Sequence, residues 1–388
     1  MTFPQDPLAA VTLPDPYSYY ANLVAHRPFY YDQSLGGWVA TGAQFVTDVL
    51  TSNLCRVRPV AEPIPRILLG SPAADIFQHL IRMNDGERHS PLKQAVLAAL
   101  MTLNPVQIGE QSSKWAQFLS SEIEDFALHL PIYVMGSLIG IPQHLLRQTA
   151  LWMSDFARCI APGSSPDQIE VGKVAAGSLS EMFRTLLADR GARPTNGLLR
   201  ALAQEAKRVG CEDEDVIIAN AIGFLSQPYE ATAGLIGNTI LALAVHPEVR
   251  EQVTTDSSLL RRVIPEVLRY DSPVQNTRRF VAEDGIVAGE RMKSGDVILI
   301  VLAAANRDPS VNQEPDRFNI FRKDRKTFTF GIGSHACPGE SLAIAIAKAG
   351  IEQLIWSGVA LESLVLPVVY RASANVRIPL LTVKERTA

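Results

Sequence analysis

The apolar residues of this chain gather into a few long runs, and most of them lack strand alternation. The longest begins after Gly210, carries no strand signal as far as Val245, and stops at His246-Pro247. Its first turn is acidic (Glu212, Asp213, Glu214, Asp215), as a helix N-terminus prefers. The run predicts a central helix over about 211–245, roughly 50 Å long at 1.5 Å per residue. An almost wholly apolar helix of that length belongs in the interior. A second run, Ser341 to Ala349, is rich in Ala and Leu and reads as another buried helix. Asp15–Ala25, Ala43–Thr51 and 257–273 read as further helices. Gly37–Thr41 and Asp296–Val301 read as short strands of a small sheet. The prolines of residues 58–70 (Pro59, Pro63, Pro65) mark a loop, and residues 161–170, with Pro162, Gly163, two serines and Pro166, a mobile connection able to serve as a lid.

Composition narrows the class. The chain has 388 residues, 47 % of them hydrophobic, enough for a large core. We treat residues 1–388 as a single domain. The formal net charge of −4 argues against a nucleic-acid binder. Four cysteines (Cys55, Cys159, Cys211, Cys337) show no CxxC spacing, which suits a reducing cytoplasm. The N-terminus lacks a charged region followed by an apolar one, and no run is long enough to span a membrane. The expectation is a cytoplasmic protein without a membrane anchor.

One stretch carries the chemistry: Phe330-Gly331-Ile332-Gly333-Ser334-His335-Ala336-Cys337-Pro338-Gly339. Cys337 ends a Gly-punctuated loop and stands just before the buried helix, where free N–H groups and the dipole favour a thiolate able to hold a metal. The glycines let the backbone turn tightly and pass close to a flat partner. An isolated cysteine is more often a small buried hydrophobe; this setting argues otherwise.

The loop resembles the haem-binding loop of the cytochrome P-450 superfamily, Phe-Gly-x-Gly-x-x-x-Cys-x-Gly. All five fixed positions are met, by Phe330, Gly331, Gly333, Cys337 and Gly339. The resemblance implies haem b with Cys337 as its axial thiolate, a ligand that favours O–O cleavage. It also implies the family's mainly α fold, an α-helical haem domain with a small β-rich part.

Further stretches match the family in order. His89 and Lys93 stand where the family often has His-x-x-x-Arg reaching the haem propionates, and four residues apart they share a helix face. Pro91 between them is tolerable only in the first turn. Residues 128–143 resemble a core helix ending at a Gly-x-Pro exit. Glu266 and Arg269 match the family's buried Glu-x-x-Arg pair, with Arg317 as third member. Arg279, with Arg278 as its neighbour, and His335 match further propionate contacts, whereas Thr327 replaces a common histidine. Ala304 to Pro309 matches another signature. The basic run Arg322, Lys323, Arg325, Lys326 reads as a solvated face or a guide for an acidic electron donor.

In the long helix the family usually has Ala-Gly-x-Asp/Glu-Thr-Thr, whose acid and first threonine relay protons to the oxygen side. Here Glu230 matches the acid, Ala231 occupies the alcohol position, Thr232 follows, and Pro228 replaces the glycine. Pro228 should bend the helix. Ala231 cannot donate a hydrogen bond, and Thr232 points about 100° away. The implied function is a monooxygenase oxidising an apolar, natural-product-like molecule with O2. Electrons would come from NAD(P)H through a separate ferredoxin and ferredoxin reductase. A hydroxyl or carboxyl group of the substrate would complete the relay. The alternatives are a haem-binding scaffold with impaired oxygen activation, or an enzyme that uses peroxide or rearranges its substrate.

Overall fold

The long apolar run is a helix, Glu214–Val245. Asp213 fixes its start: its carboxylate accepts the N–H groups of Asp215 at 3.0 Å and Val216 at 3.5 Å. Glu212 and Asp213 therefore precede the helix rather than form its first turn. Pro228 lies inside the helix, which continues unbroken through it. One missing donor is a local cost, and burial on both sides outweighs it. The computed structural model describes residues 4–161, 163–189 and 197–382. They gather into two units, one of residues 1–56, 116–127 and 230–388, the other of 57–115 and 128–229.

The first unit holds the strands β1 (Phe29–Asp32), β2 (Gly37–Ala40), β3 (Cys55–Arg56), β4 (Thr277–Val281), β5 (Gly285–Val287), β6 (Glu290–Met292) and β7 (Val297–Ile300). Five form one sheet in the order β1-β2-β7-β4-β3, and β5 pairs with β6. β2 and β7 are parallel, with Val39 opposite Leu299; the other pairs are antiparallel. Side chains alternate between the two faces of a strand, and both faces are covered here. Ala40, Ile298 and Ile300 pack with Val46 and Leu50 of the helix Ala43–Thr51 and with Phe328. Val39, Leu299 and Val301 pack on the other side with Tyr20 and Leu23 of the helix Tyr17–His26. The expected helix over 257–273 is a 3-10 turn (Ser257–Leu259) followed by an α-helix, Leu260–Tyr270.

A hairpin formed by residues 370–379 runs along the C-terminal half of the long helix. A Cβ on Gly234 would lie 2.7 Å from the Arg377 carbonyl and 2.9 Å from Pro273 Cβ, and one on Gly237 would lie 2.8 Å from Pro379. The Arg377 contact is to backbone, which cannot swing aside. Gly234→Ala should therefore destabilise the fold by about 1–3 kcal/mol, the usual cost of overpacking a tight site. A fall in the thermal unfolding midpoint would check this; an unchanged midpoint would show that the hairpin can back away.

The second unit is helical. Gly172 of the helix Pro166–Ala188 lets that helix sit against Leu146–Ile160, since a Cβ there would fall 2.1 Å from Cys159 Cβ. Ser165 and Gln168 form a capping box, and Pro166 stands in the first turn. The end of the expected lid is thus a helix start; Pro162 lies outside the described residues. The helix Ile123–Ile139 ends at Gly140, with φ of +106°, as the Gly-x-Pro exit implied. Among the described residues no helix is long and apolar enough to cross a membrane.

Candidate functional site

The cysteine loop is held by its own backbone. Gly331 donates to the Phe328 carbonyl at 2.8 Å, Ala336 to Gly333 at 3.1 Å, and Cys337 to Phe330 at 2.8 Å. Gly331 and Gly333 adopt φ of +66° and +71°, the left-handed region where a Cβ is penalised. The helix Glu340–Trp356 begins three residues after Cys337, with Gly339 as its N-cap. The Gly339 N–H donates to Cys337 Sγ at 3.4 Å. An amide aimed at the sulfur at a helix entrance stabilises negative charge there. Cys337 is exposed, whereas Cys55 and Cys159 are buried, so the small-hydrophobe reading does not hold for it. An exposed thiol with an amide on its sulfur is a donor suited to a haem iron, and the residues present fit that group.

Buried polar side chains brace the approach to the loop. Asn306 donates to the Leu268 carbonyl, Ser272 Oγ and Thr329 Oγ1, and accepts the Phe328 N–H at 2.6 Å. Arg307 lies over the rings of Tyr17 and Tyr270 and pairs with Asp316. Asp308 accepts the Ala43 N–H at 2.8 Å and so caps the helix under the sheet. The Ala304–Pro309 signature is therefore structural.

Glu266 and Arg269 form the expected ion pair, 2.7 Å apart with neither side chain exposed. Burial pushes the Glu266 carboxyl up, but hydrogen bonds and charge from Arg269, with hydrogen bonds from Arg325 and the Asn319 amide, hold it below its ordinary value. The third member differs from expectation. Arg317 contributes its carbonyl to Arg269, while its own side chain turns outward to Glu314. Arg322 and Arg325 take its place, reaching Glu266 at 3.4 and 2.8 Å. Half of the basic run is thus inside, and Lys323 and Lys326 are its exposed half.

On the long helix, Glu230 is half-exposed rather than buried, and its Oε1 lies 3.6 Å from Arg371 Nη1. Ala231 is partly exposed. Thr232 is 1 % exposed and its hydroxyl has no hydrogen-bond partner among the described residues, unlike Thr239, which donates to the Leu235 carbonyl at 2.7 Å.

The candidate cations are distributed over both units. Arg279 on β4 is buried, with Nη1 donating to the Arg278 carbonyl. His335 ends the 3-10 turn Gly333–His335 and is half-buried. Thr327 is engaged with Thr329 next to the loop. In the second unit His89 is buried and precedes the helix Ser90–Met101, with Pro91 in its first turn. The Lys93 N–H donates to the His89 carbonyl at 2.8 Å, which places the two residues one helical turn apart. Arg371 was not foreseen; no spacing in the sequence points from it to Glu230. A groove of about 610 Å³ lined by Trp152, Met182 and Leu186 lies among the helices of the second unit, and no residue of the cysteine loop lines it.

Comparison with known proteins agrees with this geometry. The family model described as cytochrome P-450 matches residues 170–356. A biotin biosynthesis cytochrome P-450 of Bacillus subtilis (strain 168) is 26 % identical over 92 % of both chains. The vitamin D(3) 25-hydroxylase of Pseudonocardia autotrophica is 32 % identical over 70 % of this chain and 63 % of its own. Among solved structures, P450BioI in complex with hexadec-9Z-enoic acid ligated acyl carrier protein superposes with a TM-score of 0.80 and 25 % identity, covering 94 % of this chain and 97 % of that one. An epothilone B-bound P-450 superposes at 0.83 with 20 % identity over 98 % and 100 %, a likeness of fold. The mainly helical architecture with its small sheet, the cysteine loop and these likenesses agree: the chain belongs to the cytochrome P-450 superfamily, haem b monooxygenases with a cysteine thiolate on the iron.

Proposed function

We propose that Cys337 is the thiolate ligand of the haem, and that the chain oxidises an apolar substrate which itself completes proton delivery. The observation that carries the first part is the amide-to-sulfur contact of the exposed Cys337 at the entrance of the helix Glu340–Trp356. Haem bound there supplies reductive activation of O2. Phe330 and Gly339 would frame the ligand, and Arg279, His335, His89 and Lys93 would hold the propionates. Electrons would come from NAD(P)H through a ferredoxin reductase and a ferredoxin, with Lys323 and Lys326 as the exposed cations available to an acidic donor. A relative named for vitamin D(3) hydroxylation, and another holding a fatty acyl chain on acyl carrier protein, support a largely apolar substrate. A single domain working in the cytoplasm fits this reading.

The second part rests on Ala231. With no hydroxyl at that position, and with Glu230 engaged by Arg371, a donor must come from elsewhere. Thr232, the adjacent alcohol, is buried within the helix packing and its direction does not replace the missing group. A hydroxyl or carboxyl on the substrate, with ordered water, fills the gap. Under this reading, Ala231→Thr leaves product formed per reductant consumed unchanged or lower, because the new side chain competes with the substrate group. Product and reductant are measured together, with hydrogen peroxide as an alternative oxidant. A rise in product rate toward ~10²-fold, the low end of what a positioned proton donor contributes, would show that the native relay is merely defective. Efficient turnover with peroxide alone would favour the peroxide-using alternative.

A further inference from the structure

Resting on the assignment of Cys337 as the haem ligand, we propose that Asn306 and Thr329 are positioning residues for the thiolate. They hold the cysteine loop to the protein core at its entrance, beside Phe328, and so keep Cys337 in its ligating place. The segment 326–329 that leads into the loop belongs to no strand or helix. Its backbone groups therefore need partners from elsewhere. Two asparagine side chains supply them. Asn312 accepts the Lys326 N–H and donates to the Lys326 carbonyl, both at 3.0 Å, as a residue of a neighbouring strand would. Asn306 accepts the Phe328 N–H at 2.6 Å. Asn312 also donates to the Asn306 carbonyl at 3.0 Å, which links the two.

The far end of this brace is the helix Leu260–Tyr270. Leu268 lies two residues before its end, where a helix leaves carbonyls without an internal donor. That carbonyl accepts the Thr329 hydroxyl at 2.6 Å, the Ser272 hydroxyl at 2.9 Å and Asn306 Nδ2 at 3.2 Å. Asn306 Nδ2 also reaches Ser272 Oγ at 2.6 Å and Thr329 Oγ1 at 2.9 Å. These partners settle the orientation of the amide, since only its oxygen can take the Phe328 N–H. Asn306, Ser272 and Thr329 are all buried. The same helix carries Glu266 and Arg269, so the loop entrance is tied to the helix that holds the buried ion pair. The signature Ala304–Pro309 acts structurally, and at Asn306 that structure is aimed at the loop.

From Phe328 to the sulfur the path is short. The Phe328 ring packs in the core beneath the sheet. Its carbonyl accepts the Gly331 N–H at 2.8 Å, and the Phe330 carbonyl accepts that of Cys337 at 2.8 Å. Phe328 is thus fixed at its ring, its N–H and its carbonyl. Beyond Thr329, residues 330–339 are half-buried or exposed. Packing alone does not hold them, and the bonds at the entrance set where Cys337 stands. Thr327 occupies the place of the usual histidine, and its hydroxyl turns to Thr329 Oγ1 at 3.2 Å. The hydrogen bond there goes to the protein, where the family pattern sends it to the haem.

The test follows the lifetime of the thiolate signature in the reduced, carbon monoxide-bound protein, at a temperature where circular dichroism shows the chain folded. Asn306→Ala and Thr329→Val should lose the signature about 10- to 100-fold faster than wild type, the effect of removing a buried hydrogen bond. Thr329→Ser keeps the hydroxyl and should hold the signature as long as wild type does. So should Ser165→Ala, which removes a helix cap of the second unit. The proposal is overturned if Asn306→Ala and Thr329→Val match wild type, or if Thr329→Ser decays as fast as Thr329→Val. It is overturned too if Ser165→Ala decays as fast as they do, since general loosening then explains the loss. If Asn306→Ala does not fold, the two Thr329 variants decide the matter. A wild-type protein without the signature sinks the ligand assignment as well, whereas a lasting signature in every variant sinks the brace alone.

Discussion

Cys337→Ser should lose the carbon monoxide signature of thiolate ligation and, with it, more than about a hundredfold of monooxygenase turnover. Serine is nearly isosteric, and the loop does not depend on the sulfur for its shape. Its turns are closed by backbone bonds from Gly331, Ala336 and Cys337, and by positive φ at Gly331 and Gly333. The variant should therefore fold. What changes is the donor, since an alcohol is a poor anion at neutral pH and gives the iron little electron density. Retained thiolate signature in the serine variant would mean that another cysteine is the ligand. Cys55 and Cys159 are buried, and burial pushes the Cys159 thiol up, so neither offers an equivalent site.

The largest effect on stability is expected at Glu266. Its carboxylate meets Arg269, Arg322 and Arg325, and neither it nor Arg269 is exposed. Glu266→Ala leaves these cations without their anion in a desolvated place, a loss of about 3–5 kcal/mol. Denaturant unfolding would read it directly, and a loss under about 1 kcal/mol would show that water enters and solvates the arginines. The same group predicts a pH dependence. The folded carboxyl titrates below its unfolded value, near 4.3, so its contribution is full above that value and is lost as pH falls through the lower, folded one. Glu266→Gln should remove this part of the acid limb, which a comparison of unfolding midpoints between about pH 3 and 6 would reveal.

What the sequence made legible was local. The cysteine loop is ten consecutive residues whose spacing is itself the geometry, and the 32-residue helix announces itself by continuous apolarity. Glu266 and Arg269 are readable for the same reason, three positions apart on one helix face. The helix entry moved to Glu214 because capping by Asp213 depends on side-chain geometry that charge alone does not reveal. Contacts between distant segments were not legible. Arg322 and Arg325 read like any solvated basic run, and only the folded chain shows them turned toward Glu266. Arg371 carries no local signal, because its partner lies on another element and is chosen by how the hairpin meets the long helix.

Arg377, in the same hairpin, is buried, and its guanidinium donates to the carbonyls of Val11, Leu13 and Pro14, to Tyr370 Oη and to Asp271. The bond to Val11 joins residues 366 positions apart. On the ribosome, therefore, the residues around Val11 emerge long before the cation that satisfies their carbonyls has been made. That corner cannot close one piece at a time behind the growing chain; it closes only after the hairpin that carries Arg377 has been made and released.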